Sequence, residues 1–202
     1  MLVLATLFVG GTRLAAQPVG PERRLNVSTA GYSDHPSVAA LSDVQYVVVW
    51  DEPGAGLQDI FVRRVDLSGV PVGLQTRVNT YTTFDQIQPK VATDLAGNFV
   101  VVWNRLNNEL VGQRFGFDGS PLGGEFQINT STAMPHAASV ARAPSGEFLV
   151  VWHAFEGGSS DGIFARRYGA SGAPAAAVFR VNSYTTGNQY YPSVAAGPSG
   201  FL

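Results

Sequence analysis

Six of the fifteen acidic residues, all three histidines and a handful of tyrosines are the residues of this 202-residue chain placed to do chemistry. The acids are Asp51, Glu52, Asp59, Asp85, Glu156 and Asp161, each in a turn-like stretch between apolar phrases. Cleaving a glycosidic bond takes two such carboxyls about 5–9 Å apart, one to protonate the leaving oxygen and one to attack or to activate water. Nothing in their linear spacing selects a pair. The histidines, His35, His136 and His153, show no metal-ligand spacing. With no cysteine, disulfides and thiolate metal sites are excluded. Neither a serine nucleophile elbow nor a phosphate-binding glycine loop occurs.

Asp51, Asn104 and His153 share a different property, since each directly follows a tryptophan. They read either as polar groups ringing a central site or as polar residues that end buried strands. Tyr81, Phe84, Tyr184, Tyr190 and Tyr191 stand near Asn, Gln and Asp. That mixture suits sugar or peptide recognition by stacking and hydrogen bonding, or packing between structural units. Arg63-Arg64 and Arg166-Arg167 read as solvated strand positions.

What must position these residues is a repeat. Asn26, Asn79, Asn129 and Asn182 recur at gaps of 53, 50 and 53 residues, each preceded by Leu, Val or Ile. Between them return Tyr46–Trp50, Phe99–Trp103 and Phe148–Trp152, an aromatic, three aliphatics and tryptophan. A constant period near fifty means one supersecondary unit has been copied. Four phrases fill each unit: Ser-Val-Ala at 37–40 and its copies, the tryptophan phrase, Asp59–Arg64 and its copies, and the run into Asn. All are rich in β-branched and aromatic residues and bounded by turn formers, so they are predicted strands. The tryptophan phrase is apolar throughout, as a strand covered on both faces must be. Turns such as Asp118-Gly119-Ser120-Pro121 supply the positive φ and the side-chain closure that tight hairpins need.

Four antiparallel strands in about fifty residues form one blade of a β-propeller. The expected fold is therefore all-β, a propeller fragment with complete blades at about 37–79, 90–129 and 139–182 and a fourth begun at 193. Residues 21–27 match a fourth strand and are expected to close a ring. Residues 1–16 read as a signal peptide, leaving 17–202 as the propeller part. In such a unit the loops from strand two to three and from strand four to the next strand one share a face, and they are the most varied in length and sequence. Recognition is expected there, at Asp51, Asn104, His153, Tyr81, Tyr184 and Tyr190.

The combination Arg-Val-Asn-Thr, Pro-Ser-Val-Ala, Gly-x-Phe-Val-Val-Val-Trp and Gly-x-Pro resembles repeats of large secreted or surface-attached bacterial proteins across nearly all of residues 21–202. The resemblance implies an extracellular propeller module with no single activity. Likeness to sialidase-type and integrin-type propellers is distant. Ser159–Ile163 departs from the sialidase turn, and Asp94–Asn98 and Asp118-Gly119 hold too few carboxylates for a calcium loop.

Composition narrows the partners. A net charge of −2 offers no field for nucleic acid or an anionic membrane, and no segment is long enough to span a bilayer. The expectation is a non-enzymatic binding or scaffold module of a larger secreted or cell-surface protein, with no cofactor, calcium being the one ion left open though no clear motif for it occurs. Its partners would be a glycan or protein ligand and the remaining blades. The alternatives are part of a propeller glycoside hydrolase or lyase with its acids on the loop face, and a structural spacer.

Overall fold

The structure, a computed structural model, describes residues 22–28, 31–54, 56–130, 133–155, 160–197 and 200–202. The proposed signal segment 1–16 and Glu156 lie outside them. Every regular element described is a strand, and no helix among these residues is long and apolar enough to cross a membrane.

The strands form three four-stranded antiparallel sheets and the first hairpin of a fourth. Blade one is β1 (Asp34–Ser42), β2 (Gln45–Pro53), β3 (Gln58–Asp66) and β4 (Pro71–Arg77). Blade two is β5 (Gln86–Thr93), β6 (Phe99–Arg105), β7 (Glu109–Phe115) and β8 (Phe126–Gln127). Blade three is β9 (Pro135–Arg142), β10 (Phe148–Phe155), β11 (Asp161–Tyr168) and β12 (Phe179–Arg180). The fourth begins with β13 (Ala196–Gly197) and β14 (Gly200–Phe201). Each sheet meanders in chain order, which is the meander of a propeller blade.

First strands lie side by side from blade to blade. The N–H of Val91 donates to Ser37 Oγ at 3.3 Å, and that of Val194 to Ser139 Oγ at 3.4 Å. These strands are therefore the innermost, and the fourth strands are the outer edge.

Packing follows from alternation along each second strand. Trp103, fully buried, faces blade one in a core with Val47, Val49, Ile60 and Val101. Trp152 makes the same contact one blade on, against Val100, Val102 and Leu110. The residue after each tryptophan points the other way, toward the next blade. Its polarity thus falls at the inner end of a seam between sheets.

The recurring asparagine is a strand clamp. Asn79, Asn129 and Asn182 each accept, on Oδ1, the N–H of a third-strand residue (Ile60, Leu110 and Ile163, all at 2.8 Å). Two of them donate from Nδ2 to the carbonyl two residues on, at Tyr81 and Tyr184. The side chain continues the ladder where the backbone turns away, satisfying groups that would otherwise be orphaned.

Residues 22–28 form no strand, unlike the expected closing strand at 21–27, yet they occupy a strand-four position. Arg63 Nη1 donates to the Leu25 carbonyl at 2.6 Å. Two blades on, Arg166 Nη1 donates to the Ile128 carbonyl at 2.9 Å. Leu25 precedes Asn26 as Ile128 precedes Asn129.

First strands start three or four residues before the Ser-Val-Ala phrase, earlier than expected. Each contains a register shift, between Asp34 and Ser37, between Ile87 and Lys90, and opposite Val151 and His153. At the shift sits a residue with left-handed backbone: His35 (φ 50°), Gln88 (57°), Ala137 (45°) and, in the fourth unit, Tyr191 (54°). A bulge kinks the innermost strand of each of the three complete blades at the same place, which re-aims the residues on both sides of it.

Candidate functional site

The bulges and the residues after the tryptophans meet at one end of the inner strands. Their pairing repeats by register: Asp34 opposite Asp51, Ile87 opposite Asn104, and His136 opposite His153. Tyr190 takes the corresponding place in the fourth unit. These residues make an inner rim with one backbone and different chemistry in every blade.

In blade one the rim is acidic. Asp51 is buried, and its Oδ1 lies 3.0 Å from His35 Nδ1. The same oxygen accepts the N–H of Gln88, from the bulge of blade two, at 3.1 Å. Both bonds fall on Oδ1. Burial pushes the Asp51 carboxyl above the usual range, against the pull of His35 and the Gln88 N–H, and Asp34 adds a small like-charge push upward. Asp34 itself is exposed.

Gln88 links this rim to the next. Its Oε1 accepts from Asn104 Nδ2 at 2.9 Å, so Asp51 and Asn104 are joined through one glutamine. The buried Asn104 Oδ1 has no partner among the described residues.

In blade three the rim is aromatic. The rings of His136 and His153 stack at 5.4 Å, and Tyr190 and Tyr191 meet His153 edge-on at 5.0 and 5.7 Å. The Tyr191 N–H donates to His153 Nδ1 at 3.4 Å, which leaves the imidazole proton on Nε2. Burial first, then His136, holds His153 below the ordinary histidine range, opposed by Asp161. Desolvation and the hydrogen bond to Asp161 push the exposed Tyr190 phenol up. A cavity of about 390 Å³ opens here, walled by these four rings with Gln88, Ala137 and Asp161.

Of the residues expected on the loop face, the structure brings Asp51, Asn104, His153 and Tyr190 to the rim. Tyr81 and Tyr184 lie apart, beside the fourth-strand ends. Arg105 stacks over the Tyr81 ring at 4.4 Å, and Tyr184 is exposed with its carbonyl bound to Asn182. Among the other acids, Glu52 is buried, holding Ser33 and Gln75. Asp59 is buried against Asn79 at 2.6 Å, and Asp85 caps the N–H of Gln58 at 2.8 Å. These three carboxylates fasten loops. No group of three or more His, Cys, Asp or Glu among the described residues is placed to hold a metal ion.

Two residues at this end escaped the reading of the chain. Asp34 precedes a bulge made by residues other than glycine, so no glycine marks the kink. Gln86 is fully buried and accepts the Trp103 indole N–H at 2.8 Å. Its signal was a second regularity, seven residues beyond Asn79, repeated at Gln189 beyond Asn182.

No family model matches the chain, and no curated protein matches it by sequence. Solved structures do. An endo-arabinase from Bacteroides thetaiotaomicron superimposes with a TM-score of 0.54 at 16% identity, covering 79% of this chain and 66% of that one. A protein of unknown function from Dyadobacter fermentans gives 0.55 at 15% identity, covering 75% and 42%. The GH43 BlXynB protein from Bacillus licheniformis gives 0.53 at 9% identity, covering 85% and 36%. The chain thus spans from about a third to two thirds of the lengths of these neighbours. At such identities the likeness is one of fold, and the fold is a β-propeller.

These neighbours correct one expectation. A non-catalytic binding or scaffold module, and so a protein that is no enzyme, was expected because no pair of acids could be selected from the spacing. Two of the three similar structures are glycoside hydrolases. Strand pairing within blade one also does what linear spacing could not, setting Asp34 and Asp51 opposite each other on the inner rim. The glycoside hydrolase alternative is the one that these findings favour.

Proposed function

We propose that this chain supplies the inner rim of a propeller glycoside hydrolase, with Asp51 as the proton donor and Asp34 as the second carboxyl. The observation that carries the reading is the pairing of a buried carboxyl raised by desolvation with an exposed one directly opposite. Two carboxyls in unlike environments can divide the acid and base roles, desolvation favouring the protonated form of the buried one. Directly opposed residues on an antiparallel ladder have Cβ atoms about 4.5–5.5 Å apart, close enough for two-carboxyl chemistry. His35 and the Gln88 N–H hold Asp51 by one oxygen and so aim the other. The kinship in fold with an endo-arabinase supports the reaction class and suggests arabinan as the first substrate to try.

The test is reducing-sugar release from arabinan and a panel of other plant polysaccharides by the intact protein. Hydrolysis is expected, falling about 100-fold or more in Asp51→Asn and in Asp34→Asn, the usual contribution of a positioned acid or base. A wild-type rate in either variant, or no cleavage of any polysaccharide, overturns the assignment. The same reading places the protein outside the cell, where polysaccharide is met, with residues 1–16 removed. N-terminal sequencing of protein from the culture medium checks this, with Gln17 expected first.

A further inference from the structure

One residue decides whether the blade-three rim is filled or hollow. The left-handed bulge position carries His35, Gln88, Ala137 and Tyr191 in the four units. Three of these are large and one is a methyl group. The His35 side chain is tied to Asp51, and Gln88 to Asn104, so in blades one and two the bulge residue closes on its own rim. At Ala137 no long side chain among the described residues reaches inward, and the cavity of about 390 Å³ lies there.

The walls of that cavity have a definite chemistry. Exposed His136, Tyr190 and Tyr191 present ring faces and edges, set by their packing on the buried His153. Asp161 brings a carboxylate acceptor beside the Tyr190 hydroxyl. Gln88, its Oε1 held by Asn104, keeps its Nε2 donors for whatever enters. Flat rings together with separate donors and acceptors match a molecule having an apolar C–H face and a hydroxyl edge, which is a sugar ring. An anion is disfavoured by Asp161 and by the absence of Lys or Arg from the lining. The volume falls within the usual range for small-molecule sites, about 300–1,000 Å³.

We infer that this cavity is a saccharide-binding subsite and that Ala137 is the specificity residue that keeps it open. The choice of sugar rests on the hydrolase reading above, but the readout is binding and does not need turnover.

Ala137→Gln is the decisive variant, because Gln88 shows that glutamine is accepted at this bulge with a similar φ. Tyr190→Ala removes a wall from an exposed position without touching the core. Intact protein is titrated calorimetrically with arabinotriose and with xylotriose, alongside thermal melts of each variant. Binding of at least one trisaccharide is expected, weakened about tenfold or more by each substitution with melting unchanged. On polysaccharide, Ala137→Gln is expected to raise KM and leave kcat. If the wild type binds and Ala137→Gln does not, while no polysaccharide is cleaved, the subsite stands and the hydrolase reading falls. If both cleave with equal KM and bind equally, the subsite falls and the hydrolase reading stands. Failure of the wild type to bind either trisaccharide overturns the saccharide assignment.

Discussion

The rims of blades one and three are built on the same backbone and do opposite things. In blade one, His35 and Asp51 are tied together, with Asp34 opposite, and Asp51 reaches the next blade through Gln88. In blade three, His136, Ala137 and His153 stand around a hollow. Strand register, bulge and left-handed φ are shared, so the difference lies wholly in side chains. A repeated frame therefore fixes where rim residues stand and leaves open what they are. A carboxyl rim and an aromatic rim can then stand on the same frame with one blade between them.

That comparison assumes a frame common to all blades, and the largest effect expected is from breaking it. Trp103→Ala removes a fully buried ring and its hydrogen bond to Gln86, and should cost about 3–5 kcal/mol in chemical denaturation. A variant as stable as the wild type would show that the seam between blades one and two is not held as described.

Asn79→Ala attacks the same frame at its edge. It leaves the buried Ile60 N–H and the Asp59 carboxylate without their partner. A loss of about 1–3 kcal/mol is expected. A loss well below that would mean that water replaces the clamp.

The two rims can also be told apart by acid, with a smaller effect and opposite signs. Asp51 has its carboxyl raised in the folded state, so the folded form holds the proton longer than the unfolded chain does. Its contribution to stability falls as pH rises from about 3.8 through the raised value. His153 is lowered in the folded state, so its contribution is present above about 6.5 and is lost as pH falls through the folded value. Urea midpoints measured from pH 4 to 8 should therefore shift in opposite directions on substitution. Asp51→Asn gains most, relative to wild type, at neutral pH, and His153→Gln gains most near the acid end. Shifts of the same sign in both variants would contradict the contrast between the rims.

Much of the frame was legible because burial leaves periodic traces. An apolar run of five ending in tryptophan has few uses other than a strand between two sheets, and the return of Asn marks where each ladder must be finished by a side chain. The same count marked Asp51, Asn104 and His153 as equivalent positions, either ringing a central site or ending buried strands, without deciding between the two. The bulge was invisible, because His35, Gln88, Ala137 and Tyr191 are not the glycines by which a left-handed kink is usually recognised. Missing it hid Asp34, and hence the acid pair. The destiny of Glu52, Asp59 and Asp85 was hidden for another reason. Their partners, Gln75, Asn79 and Gln58, come from other strands and loops, and nothing local announces that a carboxylate will be spent on holding a loop.

The kinked innermost strand has a consequence for descent. When a blade is duplicated, the bulge is copied with it, along with two positions that the core does not use. Those positions now hold Asp and His, Ile and Gln, His and Ala, and Tyr and Tyr, with the second of each pair at a similar left-handed φ. Each duplication in such a ring thus delivers a fresh pair of sites, already folded and free to drift toward a new ligand.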